Sequence, residues 1–464
     1  MALPLSGITI PRRTVAGNEN EFVKMFDPPT ASPATPELLV PTNPVPEFCL
    51  ANGSVTNATP AHTVQKILYK NNPHTAFDGT IINSFFTIAE ANGVGAAAVG
   101  PFPAATVRVP RGVVFHGRAA GAPSPHTIHW HGIEPTPLND GVGHCSMEFG
   151  SYTFQWKPNF IGSYFYHCHR NTVQHFEFGL FGFLIIEPPD AFTVNDVSRD
   201  PAAVPIFQPS NNGTNYPRRT AANLAKFPQF PGFNSNPLHT PDPAGVFPTD
   251  PHAFTVPYDV EALWVLDDID SKWHNQFAPG DHTTFPQHGS IPGVNDLFHQ
   301  NPGGGGFFAF NNYNPDYFLC TGANFAGGVG GTGDALLAPN LLVPKELNSG
   351  VTGMQISINA TRGQTILVRA LCAAYMPITI TFPMDVVIIA FDGRALGVPP
   401  WNQYNHPFLL PKGTEYELST ARRFDALIRV ETTQPAVNDF ATVHFTHNSG
   451  GRHLLFGKIP IKIA

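Results

Sequence analysis

Short runs of β-branched and aromatic residues, separated by turn residues, restrict the fold of this chain more than any other feature. They recur within residues 61–190 and again within 256–464, as in ATVRVPRGVVFHG and QTILVRALCA. Such runs favour β-strands. Neither part contains a helix-period segment long enough to cover a sheet. The sequence therefore predicts an all-β chain with two β-sandwich domains.

The remaining segments predict how these two domains are connected. Residues 1–60 are rich in Pro and Thr, and residues 191–255 are rich in Pro, Asn and Gly. We expect the first to be an extended arm and the second a long linker between domain 1 (61–190) and domain 2 (256–464). The whole chain of 464 residues has 48 Pro, 42 Gly and only 13% charged residues, which disfavours helical bundles.

Charge and hydropathy exclude several classes of partner. The net charge is −8 and no basic run is present, so nucleic acid is not an expected partner. No stretch of 18 apolar residues occurs, so no membrane span is expected. The N-terminal residues lack the pattern of a signal peptide, which would imply that any export signal is not part of this chain.

The five cysteines form no CxxC pair, and their odd number leaves at least one unpaired. Cys168 is the candidate for the unpaired thiol. The other four allow three pairings, and the sequence does not choose among them.

Histidine and cysteine are concentrated between residues 126 and 180, in PHTIHWHG and YFYHCHRNTVQHFEFGLFG. Side chains alternate between the faces of a strand, so His129 and His131 point the same way, and His167 and His169 likewise share one face of their strand. Cys168 then points away from its two histidine neighbours. The spacing predicts two adjacent ligand sets, with the cysteine on one side and four imidazoles on the other.

The first predicted set contains His126, Cys168 and His175, with His175 in a loop that returns to the cysteine. Two imidazoles and one thiolate are the ligands of a blue-copper electron-transfer site, and zinc is the main rival metal. Leu180 stands where a weak axial ligand would be and cannot coordinate, which predicts a raised reduction potential. The second set consists of imidazoles that suit copper or zinc: His129, His131, His167 and His169.

These motifs resemble those of the multicopper oxidases, including laccases. The likeness rests on HxxHxHG at 126–132, DGV at 140–142, and GSYFYHCH with the GLFG turn within 162–182. A weaker likeness to the second cupredoxin domain of that family covers DVEALWVLDD, VVIIAFDG and ARRFDALIRV. The resemblance implies two cupredoxin-like Greek-key domains.

The resemblance also implies a role for each motif residue. His126, Cys168 and His175 would hold type 1 copper, and Asp140 would supply protons to reduced oxygen. An Asp before Gly is also an ordinary turn residue. The other copper ligands would be His129 for type 2 copper, and His131, His167 and His169 for type 3 copper.

The chain departs from the family pattern in two respects. His175 follows Cys168 by seven residues, whereas five is usual, so the intervening loop must bulge. The resemblance implies a trinuclear copper site, which takes more histidines than the four that domain 1 supplies. The family's other HxH pairs should lie in domain 2, where MPITITFPMDVVIIAFDG carries none. The candidate segment that remains is VHFTHNSGGRH, with His444 and His447 as candidate ligands and His453 beside them.

This histidine-containing tail also resembles copper nitrite reductases, in which one histidine reaches a type 2 copper across a trimer interface. His447 fits that place, and His131 and His167 fit the partner positions. However, His129 stands where those enzymes have an aspartate.

Three hypotheses follow from these features. The leading one is a laccase-like oxidase, a homotrimer of periplasmic or extracellular location. It would take electrons from a small molecule, a metal ion or a redox protein and pass them through Cys168 to a multinuclear site that reduces oxygen. The alternatives are a nitrite-reductase-like enzyme and a non-enzymatic type 1 copper protein with a degenerate second site. The number of coppers per chain distinguishes the three.

Overall fold

We analysed a computed structural model of the chain. The predicted arm (1–60) and linker (191–255) lie outside the described residues, as does His126. The structure describes residues 62–69, 73–82, 86–90, 102–110, 115–122, 127–133, 139–142, 151–156, 158, 162–169, 172–187, 258–275, 313–331, 333–343, 346–347, 354–396 and 407–464.

Within its described residues, the first domain contains ten strands and one short helix. The elements are β1 (His62–Tyr69), β2 (His74–Thr75), β3 (Ile81–Ile82), β4 (Phe86–Glu90), β5 (Ala104–Pro110), β6 (Phe115–Ala122), β7 (His129–His131), β8 (Ser151–Trp156), β9 (Gly162–His167), α1 (Thr172–Glu177) and β10 (Phe181–Glu187).

The second domain contains fifteen strands and one short helix among the described residues. The elements are β11 (Val260–Ile269), α2 (Ser271–Asn275), β12 (Tyr317–Cys320), β13 (Ala323–Asn324), β14 (Ala335–Leu336), β15 (Glu346–Leu347), β16 (Ile358–Ala360), β17 (Thr365–Cys372), β18 (Ile378–Thr381), β19 (Val386–Phe391), β20 (Arg394–Ala395), β21 (Phe408–Leu410), β22 (Glu415–Leu418), β23 (Arg423–Arg429), β24 (Val437–His447) and β25 (Arg452–Ile463).

The two larger sheets of the first domain have the orders β4-β1-β6-β8 and β15-β5-β10-β9-β7, and β2 and β3 pair with each other. Its core contains a cluster of buried aromatic rings, in which Phe115 lies 5.0 Å from Trp130 and 4.3 Å from Trp156 between ring centroids. Trp130 is the middle residue of β7. Because its side chain is fully buried, the side chains of His129 and His131 lie on the opposite face, where they are partly exposed.

Strand β15 follows β11 to β14 in the chain but belongs to a sheet of the first domain. Glu346 pairs with Thr106 and Leu347 with Val107, both in parallel register. The second half of the chain therefore completes a sheet of the first half.

The other two large sheets belong to the second domain. Their orders are β13-β12-β11-β17-β23-β19-β20, with β21 on β19, and β14-β25-β24-β18-β22, with β16 on β25. Apolar side chains of both sheets are buried, including Trp264, Val368, Phe445 and Ile461. The predicted all-β class is thus confirmed. Among the described residues, no helix is long and apolar enough to cross a membrane.

A buried network of charged and polar side chains joins the two domains. Arg108 of β5 forms an ion pair with Glu261 of β11, which also accepts a 2.5 Å hydrogen bond from Arg369 Nε. Arg369 donates further to Ser163 Oγ of β9 at 3.1 Å, and Ser163 donates to Asp425. Burial alone would raise the pKa of Glu261, but the two guanidinium groups outweigh it and lower that pKa. These pairs fix the β5–β10–β9 sheet against the β11–β17–β23 sheet.

Candidate metal centre

Two adjacent strands of the first domain bring the predicted imidazoles together. β7 and β9 are antiparallel, with His129 opposite His167 and His131 opposite Phe165. The His129 ring centroid lies 5.1 Å from that of His131 and 5.2 Å from those of His167 and His169. One ring nitrogen each from His129, His131 and His167 lies within 4.8 Å of the others. The shared face predicted from strand alternation is therefore present.

Backbone carbonyls orient two of these rings. His129 Nδ1 lies 2.6 Å from the carbonyl oxygen of Asp140, and His167 Nδ1 lies 2.9 Å from that of Cys168. A carbonyl oxygen can only accept, so each Nδ1 is the donor, and in the neutral form of the ring the lone pair is on Nε2. This is the arrangement by which ligand histidines are held in proteins. The Asp140 carboxylate is also close, with Oδ1 3.2 Å from His129 Nδ1.

Burial keeps the inner imidazoles neutral. It lowers the pKa of His131 to about 3, with further lowering by Arg423 and His129. Burial also lowers the pKa of His167 well below its usual value. A metal binds the unprotonated ring, so proton competition at these two positions is weak near neutral pH.

Cys168 and His175 form the second part of the centre. Both are buried, and Cys168 Sγ lies 3.2 Å from His175 Nδ1. Metal–sulfur and metal–nitrogen bonds of about 2.3 and 2.0 Å from a single ion can span this gap. The donor set fits a soft metal such as copper. His126, the third predicted ligand of this set, lies outside the described residues.

The sequence-based expectation of a loop at His175 is wrong, because this residue lies in helix α1. The helix takes up the additional spacing after Cys168. Gly179, with φ of +92°, follows its last turn and donates from its N–H to Phe176 O at 2.9 Å. Leu180 is buried; its N–H donates to His175 O and its carbonyl accepts from the Cys168 N–H. Its backbone thus connects the two ligand residues.

The candidate ligands of the second domain have other neighbours. His444 Nε2 lies 3.0 Å from His453 Nδ1, and the His444 ring stacks on Phe456. His447 Nδ1 lies 2.6 Å from Ser449 Oγ, and its Nε2 lies 3.3 Å from the carbonyl oxygen of Tyr313. A role for His444 and His447 as copper ligands stays a prediction.

Two neighbours of the imidazole cluster were not identified from the sequence. Phe165 stacks on His131, with ring centroids 4.3 Å apart, and on His167 at 5.1 Å. Strand alternation could have identified it, because Phe165, His167 and His169 have the same parity. Arg423, which lies over the Phe165 ring at 5.3 Å, comes from the second domain. No local signal in the sequence places it there.

Comparison with known proteins supports the interpretation of the first domain. Residues 97–191 match the family model described as multicopper oxidase. They contain every candidate ligand of the first domain. No curated protein sequence matches the chain.

The solved structures to which the chain is similar include several copper oxidases. The blue copper oxidase from Nitrosomonas europaea is 16% identical, with a TM-score of 0.44 over 86% of this chain and 85% of that chain. The multicopper oxidase mgLAC is 15% identical, with a TM-score of 0.46 over 87% and 86%. The McoA multicopper oxidase from Aquifex aeolicus is 13% identical, with a TM-score of 0.44 over 88% and 65%.

Proposed function

Because residues 97–191 match the family model described as multicopper oxidase, we propose that this chain is a copper-dependent, oxygen-reducing oxidoreductase of the laccase-like type. One observation carries the proposal: a buried Cys168–His175 pair is directly linked in the chain to a cluster of four imidazoles. Residues 162–169 thus connect a thiolate-containing ligand set with an all-imidazole one.

The two ligand sets would hold different types of copper. Cys168 and His175, with His126, would hold type 1 copper. His129, His131, His167 and His169 would contribute to type 2 and type 3 copper. Copper, when bound, would supply one-electron redox chemistry and a place for oxygen to bind.

The protein groups around these ligands have definable roles. Cys168 is bonded through the backbone to His167 and His169, so the covalent path between the two ligand sets is short. The Asp140 carboxylate lies beside His129 and is half-buried, which suits a group that delivers protons from solvent. Leu180 offers no donor atom, which favours a raised type 1 reduction potential.

The first domain supplies four imidazoles of the cluster, so further ligands would come from another part of the assembly. We propose a homotrimer in which His444 or His447 of a neighbouring subunit approaches the cluster. The electron donor would be a small molecule, a metal ion or a redox protein. A periplasmic or extracellular location would suit copper loading in this family.

Optical and EPR spectra of the copper-loaded protein, with copper counted per chain, test this proposal. We expect an intense blue charge-transfer band and about four coppers per chain. Cys168→Ser should abolish the band, because it removes the thiolate donor. The matched control is Cys320→Ser, at a buried cysteine that also forms no disulfide, and it should leave the band unchanged.

The copper count separates the competing functions. About two coppers would favour the nitrite-reductase-like enzyme, and about one would favour an electron-transfer protein. A colourless protein that binds zinc, or a blue band that survives Cys168→Ser, would contradict the proposed ligand set.

A further inference from the structure

The helix that carries His175 is too short to be stable alone. α1 has six residues, whereas isolated helices shorter than about 12 residues are marginal in water. The position of His175 therefore depends on what contacts the helix. Several of those contacts come from the second domain.

The carboxyl group of Glu177, the last residue of α1, reaches across to α2. Glu177 Oε1 accepts a 2.9 Å hydrogen bond from the Asp270 N–H and lies 3.5 Å from His274 Nε2. All three residues are buried. The His274 ring also contacts Phe178, with centroids 4.6 Å apart. The C-terminal end of α1 is thus attached to the second domain.

Tyr375 attaches the opposite end of α1. Its hydroxyl donates a 2.7 Å hydrogen bond to the carbonyl oxygen of Val173, and its ring lies 6.0 Å from that of Phe176. The second domain therefore contacts the helix both before and after His175 in the chain.

A buried carboxyl group is an expensive means of joining two domains. Desolvation, with Asp267 and Asp268 nearby, raises the pKa of Glu177 well above its usual value. An apolar side chain of similar size would stabilise the interface at least as well. The Glu177 carboxyl adds a directional hydrogen bond, which fixes the rotation of α1 about its axis and its position along that axis.

We propose that Glu177 is a positioning residue of the type 1 site, and that the second domain, through Asp270, His274 and Tyr375, holds His175 against Cys168. This inference rests on the proposed function and deepens it. It gives the second domain a role in tuning the type 1 copper, although the proposed ligands Cys168 and His175 both belong to the first domain. Groups that orient metal ligands typically change metal affinity about 10- to 100-fold when removed.

The test compares Glu177→Leu, Glu177→Gln and Tyr375→Phe with the wild-type protein. Copper retention at the type 1 site is measured by chelator competition, and the site geometry by the copper hyperfine splitting in EPR. Glu177→Leu should weaken retention about 10- to 100-fold and alter the splitting. Glu177→Gln should have a smaller effect, because its amide oxygen still accepts the Asp270 N–H. Tyr375→Phe should also alter the splitting.

Tyr164→Phe is the matched control. Tyr164 also donates a 2.7 Å hydrogen bond from the first domain to a backbone carbonyl of the second, that of Gly393. It contacts the residue before β20 and not α1, so copper retention at the type 1 site and the EPR splitting should not change. Unfolding temperatures of the copper-free variants show how far each one is destabilised.

A second readout needs no copper. In the copper-free protein, Glu177→Leu should accelerate alkylation of the Cys168 thiol relative to that of Cys320, because His175 no longer covers it in a fixed position. Unchanged splitting, retention and alkylation in a blue protein would overturn the positioning role while leaving the proposed function intact. A wild-type protein that takes up no copper would overturn both.

Discussion

Cys168 uses three of its atoms to connect the two ligand sets. Its Sγ faces His175, its carbonyl oxygen accepts from His167 Nδ1, and its N–H donates to Leu180 O. A displacement of this one residue would therefore disturb both sets. Serine in its place keeps the backbone contacts and changes only the donor atom, which makes Cys168→Ser a specific probe of the thiolate.

Asp268 offers a prediction about pH at the level of one side chain. Its carboxyl accepts from Tyr375 N, Met376 N and the Tyr313 hydroxyl, and burial raises its pKa from 3.8 to about 7. The folded state thus binds this proton more tightly than the unfolded state. The resulting stabilisation is present below pH 3.8 and is lost as pH rises through about 7.

Denaturant unfolding of copper-free wild type and Asp268→Asn across this range measures the effect. The wild-type free energy of unfolding, relative to that of the variant, should fall as pH rises toward 7 and then become constant. The free energies of the two proteins are subtracted because His131 also affects stability. Its pKa is lowered, so its contribution to the free energy of unfolding has the opposite pH dependence below 6.5. A constant difference across the range would show that Asp268 does not titrate there.

At the level of elements, the turn at Asp140–Gly141 is packed directly on the start of β7. Gly141 has φ of +72°, and a Cβ there would lie 1.8 Å from the carbonyl oxygen of Ile128. The turn can therefore hold the Asp140 carbonyl against His129 only if this position is glycine. The DG pair is both a turn signal and part of the candidate metal centre.

Gly141→Ala should displace the turn, weaken copper binding at the imidazole cluster and destabilise the fold by more than the roughly 1–2 kcal/mol typical of a left-handed non-glycine residue. Gly79→Ala is the matched control: its φ is +87°, but no atom lies within 4 Å of the added Cβ. Gly79→Ala should be destabilised only by the left-handed backbone conformation of the new alanine. Chemical denaturation and copper analysis check both variants, and equal losses in the two would contradict the packing argument.

Strand alternation predicted those features of the site that depend on local backbone geometry. The faces of His129, His131, His167 and His169 follow from parity within β7 and at the end of β9, and the structure agrees. Helix α1 was not predicted, because a six-residue helix has little periodicity and is stabilised by contacts with Tyr375 and α2. Arg423 was missed for a related reason, since only the packing of two domains brings it near His131.

At the scale of the whole molecule, the buried Arg108–Glu261–Arg369 network couples the two domains. Removal of one member leaves a buried charge without one of the opposite charges beside it, which typically lowers the free energy of unfolding by about 3–5 kcal/mol. An exposed pair is worth far less, about 0–1 kcal/mol. The Arg422–Asp392 pair is of the second kind, with the Arg422 side chain 62% exposed.

Arg108→Met should therefore lower the free energy of unfolding by about 3 kcal/mol or more, whereas Arg422→Met should lower it by about 1 kcal/mol or less. Arg108→Met should also separate the melting of the two domains in calorimetry. A single sharp transition with no loss of stability would mean that the network does not couple them.

The pairing of β15 with β5 has a practical consequence for anyone who divides this chain. A fragment that ends near residue 190 would lack Glu346 and Leu347, which pair with Thr106 and Val107. The outer side of β5 would then expose unpaired backbone groups, a template for adding strands from other molecules. Such a fragment should self-associate, and adding a peptide that spans residues 341–350 should suppress that association by occupying the vacant position.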